Sequence, residues 1–182
     1  MNFRGQKVKK FFPIILALLV IGCANTYGMK SGGKPSPTLR LQQDVTLYVG
    51  HSKDGHFRHR VYKHSGMMTT EAIIRVFSGY ARKVESADRY VSPKENLIAA
   101  RIISADYLLQ PTILHWEDRR TEWSGKPDRI TIRLEIVNVA TGHSIDTTVI
   151  SGKSKWATFG GDHPQDLLLE PLEKYADVLF AR

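Results

Sequence analysis

The chain has 182 residues, with 26 Lys and Arg against 18 Asp and Glu, a formal charge of +8 and one cysteine. That length is one domain's worth of sequence, and a lone thiol excludes a disulfide framework. Four cations sit in the first ten residues, so the chain after residue 22 carries 22 cations against 18 acids, a mild excess that suits anionic partners such as lipid head groups or cell-wall polymers.

Arg4, Lys7, Lys9 and Lys10 form a basic patch, and Phe11 to Ile21 is almost wholly apolar. This run is too short to span a bilayer, which takes about 20 residues. A basic region, a short apolar region and a small residue before a cut site describe a signal peptide over 1–22. Val20-Ile21-Gly22-Cys23 resembles the bacterial lipobox, with valine where leucine is commoner. The resemblance implies cleavage between Gly22 and Cys23, a diacylglycerol on the Cys23 sulfur and an acyl group on the freed amine. Each buried methylene contributes about 0.8 kcal/mol, so three acyl chains make a permanent anchor. Ala24 stands where an aspartate would retain a Gram-negative lipoprotein in the inner membrane, which implies the outer membrane, facing the periplasm.

Residues 23–43 are expected to be the lipidated cysteine and a flexible tether, with the Gly/Ser/Pro cluster Ser31 to Pro37 at its centre. As a coil it would reach about 25 Å from the membrane. The globular part is expected over 44–182. Val45 to Val49 reads as a strand, His51 to His64 as a basic loop, and Met68 to Val84 as an amphipathic helix. Ser92-Pro93-Lys94-Glu95 starts a second helix with a capping box. Tyr107 to Trp116 is a strand in which Pro111 demands a bulge or an edge. Ile130, Ile132, Leu134 and Ile136 alternate with polar residues as a half-buried strand. Ala140 to His143 turns the chain, and Ser144 to Ser154 returns it as a hairpin. His163 to Asp166 opens a last helix that Pro171 should kink or split. The order predicts one α/β or α+β sandwich, a sheet of four to five strands with helices packed on it.

The stretch from Ser104 to Leu168 resembles a family of small proteobacterial lipoproteins known only as a domain of unknown function. Ala105 to Leu109 entering a strand, followed by Val137-Asn138-Val139-Ala140-Thr141-Gly142, is more loosely similar to periplasmic lipoproteins of the LpoB-like and TolB-N-terminal-like type, with asparagine in the usual aspartate place. That resemblance implies a protein-binding accessory; the LpoB group activates penicillin-binding proteins.

Chemistry is sparse. Gly152-Lys153-Ser154 mimics the end of a phosphate loop, but Thr147 stands where the motif needs glycine, so no nucleotide is expected. His51, His56, His59 and His64 share a loop, but Lys53, Arg58, Arg60 and Lys63 would repel a cation, and a solvated basic loop is preferred to a metal site. His115 and Glu117 share a strand face, yet there is no nucleophile elbow and no zinc-protease helix. No cofactor, metal, nucleic acid or catalysis is therefore expected; a periplasmic hydrolase or metal-binding protein is the alternative. Trp116, Arg119, Arg120, Trp123, Lys126 and Trp156 would gather at one end of the sheet if the strands after Tyr107 and Arg129 are neighbours. Tryptophan and arginine dominate binding hot spots, and these six are the candidate contacts for an envelope protein or cell-wall partner.

Overall fold

The computed structural model describes residues 25–31, 40–118, 127–154 and 164–181. Alternating runs become strands, and three- and four-residue apolar spacings become helices. The order is β1 (Thr26–Ser31), β2 (Thr46–Val49), β3 (His56–Phe57), β4 (Arg60–Val61), α1 (Ser65–Phe77), β5 (Lys83–Ser86), α2 (Pro93–Ile102), β6 (Tyr107–Glu117), β7 (Arg129–Asn138), β8 (Ser144–Lys153), a 3-10 segment (Pro164–Leu168) and α3 (Leu169–Phe180). Six strands form one sheet, ordered β1-β8-β7-β6-β2-β5, and β3–β4 is a separate ribbon. This is the expected α+β class, with more strands than the four or five expected, because two short strands, β1 and β5, extend its edges.

The central strands β2 and β6 explain where the helices go. β2 runs parallel to both β5 and β6. The chain passes from β2 through α1 to β5, then back across β2 through α2 to β6. Right-handed crossovers in opposite directions place their helices on opposite faces. Accordingly, α1, α3 and the 3-10 segment bury Leu47, Leu109, Ile130, Ile132, Leu134 and Ile136 on one face. On the other face Ala100 of α2 packs with Tyr48, Leu108 and Val139. Burying one such aliphatic side chain contributes about 1.5–3 kcal/mol, and the four isoleucine and leucine positions of β7 are 0% exposed.

Several boundaries depart from the sequence reading. The helix expected to run to Val84 stops at Phe77, just before Ser78-Gly79, and Val84 enters β5 opposite Leu47. Its start moves back to Ser65, because the Asp54 carboxylate accepts the backbone N–H groups of His64 and Gly66 at 3.2 and 2.9 Å. The tether expected over 23–43 is corrected where its residues are described, the Gly/Ser/Pro cluster from Gly32 to Pro37 lying outside them. Thr26–Ser31 pairs antiparallel with β8, and Leu41 is 4% exposed, its N–H bonded to the Leu179 carbonyl at 2.8 Å. Tyr27 and Met29 alternate with Gly28 and Lys30, the period that a half-buried edge strand needs. Pro111 is accommodated because β2 pairs β6 only as far as Leu109, leaving that edge of β6 without a strand; the bulge falls three residues later, at Leu114. The last helix divides into a 3-10 turn and α3, with Pro171 in the first turn of α3, where its missing N–H has no partner to lose.

Other readings hold. Ser92 accepts the Glu95 N–H while the Glu95 carboxylate accepts the Ser92 N–H, completing the capping box. In the β7–β8 turn Asn138 does the work of aspartate: its side-chain oxygen accepts the Thr141 N–H at 2.9 Å, and Gly142 takes φ 72. Among the described residues no helix is long and apolar enough to cross a membrane.

Candidate functional site

α2 covers one end of its face of the sheet. Beyond Gln110, which Asn96 of α2 reaches at 2.8 Å, no described helix lies over it, although Phe57 of β3 packs edge-on against His115 with ring centroids 4.9 Å apart, and register fixes what it displays. One row across the strands reads Glu117, Arg129, Lys153, Thr26. The next reads His115, Thr131, Ser151, Gly28, and the third Thr112, Arg133, Val149, Lys30. Neighbouring strands lie about 4.8 Å apart and alternate rows repeat every 6–7 Å. The middle row is therefore a floor of two hydroxyl positions and a glycine that ends at His115, and Arg129 and Lys153 stand on one side of it, Arg133 and Lys30 on the other. The first and third rows are about 13 Å apart.

This floor lies in an open trough of ≈650 Å³, lined among others by Thr26, Gly28, Leu114, Thr131, Ser151 and Lys153. Lys30, Arg129, Arg133 and Lys153 are exposed, and none forms an ion pair among the described residues. The bulge at Leu114 leaves that side chain 47% exposed on the rim. The carboxylates on this face are less available. Glu117 is 3% exposed and meets His115 Nε2 at 3.4 Å, and Glu135 lies one row nearer α2. Four accessible cations over a hydroxyl floor make a surface that attracts anions by charge and can hydrogen-bond their oxygens.

Of the sequence candidates, Trp116 is corrected. It is 2% exposed, on the opposite face, within the main core and beside Gly55, so it packs instead of offering its indole to a partner. Arg119, Arg120, Trp123, Lys126 and Trp156 lie outside the described residues, as do Gly22 and Cys23. The strands that bracket the first four do neighbour each other, since β6 ends at Glu117 directly opposite Arg129 of β7, and β8 ends beside them at Lys153. Gly152-Lys153-Ser154 is a strand end, with Gly152 closed over by the backbone of Leu167. The histidines of the loop separate: His51 bonds the Ser52 carbonyl at 2.8 Å, His56 lies in β3, and His64 precedes α1 with φ 69. Among the described residues no three His, Cys, Asp or Glu side chains are placed to hold a metal. A second cavity of ≈470 Å³ lies between the β3–β4 ribbon and the start of α1, with Trp116, Arg60 and Lys63 in its wall. Sequence reading missed Lys30, Arg133 and Lys153 as one group, although the polar phase of β7 (Arg129, Thr131, Arg133) was the signal.

Away from the trough, one half-buried carboxylate joins the helices to the sheet. The Tyr175 hydroxyl donates to Asp146, and burial followed by that carboxylate pushes the phenol's pKa well above its ordinary value. Burial, then Asp88 and Glu85, also raises the pKa of Tyr48.

Residues 39–179 match the model of one family, a domain of unknown function, DUF4823. No curated protein matches the chain in sequence. Among solved structures, the fold is similar to that of PelC from Paraburkholderia phytofirmans, described as a dodecamer, at 16% identity and TM-score 0.62, covering 87% of this chain and 99% of that one. Lipoprotein GNA1162 from Neisseria meningitidis aligns at 10% identity and TM-score 0.45, covering 72% of this chain and 96% of its own. The LpoB C-terminal domain from Salmonella enterica aligns at 11% identity and TM-score 0.40, covering 61% and 84%.

Proposed function

The chain belongs to the DUF4823 family, a domain of unknown function, and from that premise we propose that it is a lipid-anchored lipoprotein of the outer membrane, facing the periplasm. In this reading it is a non-catalytic accessory that binds an envelope protein or a cell-wall polymer. The observation that carries the reading is the cationic face that Lys30, Arg129, Arg133 and Lys153 present on either side of the Thr131–Ser151 row, a platform suited to holding an anionic partner. The lipobox-like Val20 to Cys23 supports the anchor. Arg119, Arg120, Trp123, Lys126 and Trp156 are the proposed partner contacts, supported by the side-by-side ends of β6, β7 and β8.

Two measurements test it. Cys23→Ser abolishes labelled-palmitate incorporation and leaves uncleaved precursor; unchanged incorporation overturns the anchor. Trp123→Ala with Arg120→Ala lowers crosslinking to the partner in intact cells, since truncating a hot-spot residue costs about 2 kcal/mol of binding. A large fall in Tm with normal capture would make Trp123 a packing residue instead.

A further inference from the structure

We propose that the cationic trough is a membrane-docking surface, held against the anionic phosphate head groups of the bilayer that carries the Cys23 anchor. The inference rests on the anchor reading above and adds an orientation to it. Its first support is chain length. Cys23 precedes Thr26 by three residues, which reach about 10 Å at full extension. Thr26 is the first residue of β1, is paired with Lys153 and lines the trough. An anchor at Cys23 therefore delivers this end of the sheet to the lipid surface, where a flexible tether to residue 43 would have left the domain at a distance.

Charge is the second support. The row that begins at Thr26 continues with Lys153 and Arg129, and the row of Lys30 and Arg133 lies behind it, all four exposed and unpaired among the described residues. Cations within a Debye length of an anionic leaflet each favour the bound state, and Thr131 lies between the rows to donate to phosphate oxygens, while the neighbouring Ser151 hydroxyl donates to the Gly28 carbonyl at 3.3 Å. Leu114, 47% exposed on the same rim, offers an apolar side chain beside the cations. The α1–α3 side of the sheet then faces away from the bilayer.

The full lipidated protein, carrying Thr112→Cys, is reconstituted into vesicles of phosphatidylcholine alone or with added phosphatidylglycerol. Acylation of Cys23 leaves position 112 as the one free thiol for a dye, and transfer of its excitation to head-group-labelled lipid reports the distance to the surface. A gain in transfer is expected on the phosphatidylglycerol vesicles over phosphatidylcholine, where the anchor alone holds the domain. High salt abolishes it, and each of Arg129→Gln, Arg133→Gln and Lys153→Gln lowers the docked-to-undocked ratio about fivefold. Lys174→Gln, on α3, leaves it unchanged. Arg129→Lys and Lys153→Arg keep the charge and restore transfer if a neutral variant is destabilised. Equal transfer on both compositions, or indifference to the neutral variants, overturns the proposal. Transfer that changes with the number of proteins per vesicle also overturns it, and assigns the face to a second copy of the chain. Failure of the anchor reading looks different: no palmitate is incorporated, and the protein floats with neither vesicle.

Discussion

At Gly66 a side chain has no room. A Cβ there would fall 2.2 Å from the Ser52 carbonyl oxygen, which is backbone and cannot swing aside. The contact exists because Asp54 and Ser65 tie the His51–Gly55 segment to the start of α1: Asp54 accepts the Gly66 N–H, and Ser65 Oγ accepts the Gly55 N–H at 2.8 Å. Gly66→Ala is expected to lower stability by about 1–3 kcal/mol, the usual cost of overpacking. Gly79→Ala is the control, since the nearest atom to its Cβ is 3.4 Å away; thermal melting of the two variants side by side checks the contrast. None of this was legible locally. The polar, basic sequence from His51 to His64 reads as a solvated loop, and only the fold brings Asp54 to a helix start ten residues on.

Elements were legible in proportion to how much of their partner lay nearby. The β7–β8 hairpin carries its register in its own alternation and turn residues, and α2 announces itself through Ser92, Pro93 and Glu95. Ser92→Ala is expected to cost about 1 kcal/mol, read as a lower midpoint in chemical denaturation with unchanged slope. The first half of β5, Lys83–Val84, reads as the end of a helix because four residues cannot specify a strand whose partner, β2, lies more than thirty residues earlier. β1 was misread as tether because the Gly/Ser/Pro cluster behind it masked the alternation of Tyr27 and Met29. The second of these gaps also hides the trough, because its rows are complete only once β1 is laid against β8, and the tryptophans and cations of the neighbouring loops are the stronger local signal.

At the scale of the whole molecule, stability is expected to fall in alkali. The folded pKa of Tyr175 is raised above its unfolded value, so its contribution is complete below pH 10 and is lost as pH rises from there toward the folded pKa. Over that range the unfolded state has released a proton that the native state keeps, which removes about 1.4 kcal/mol per pH unit. Tyr48 acts in the same direction. Chemical denaturation from pH 8 upward should show the decline, and Tyr175→Phe should make it shallower. β1 has a mechanical consequence as well. With Cys23 acylated, any pull on the domain enters at the head of a strand held to β8 by six register pairs. A tug along the strand loads those pairs together in shear, whereas a sideways tug would peel them one at a time, starting at Thr26. In a chain anchored at Cys23, the bilayer would grip the protein through a clasp that resists force in one direction and yields in the other.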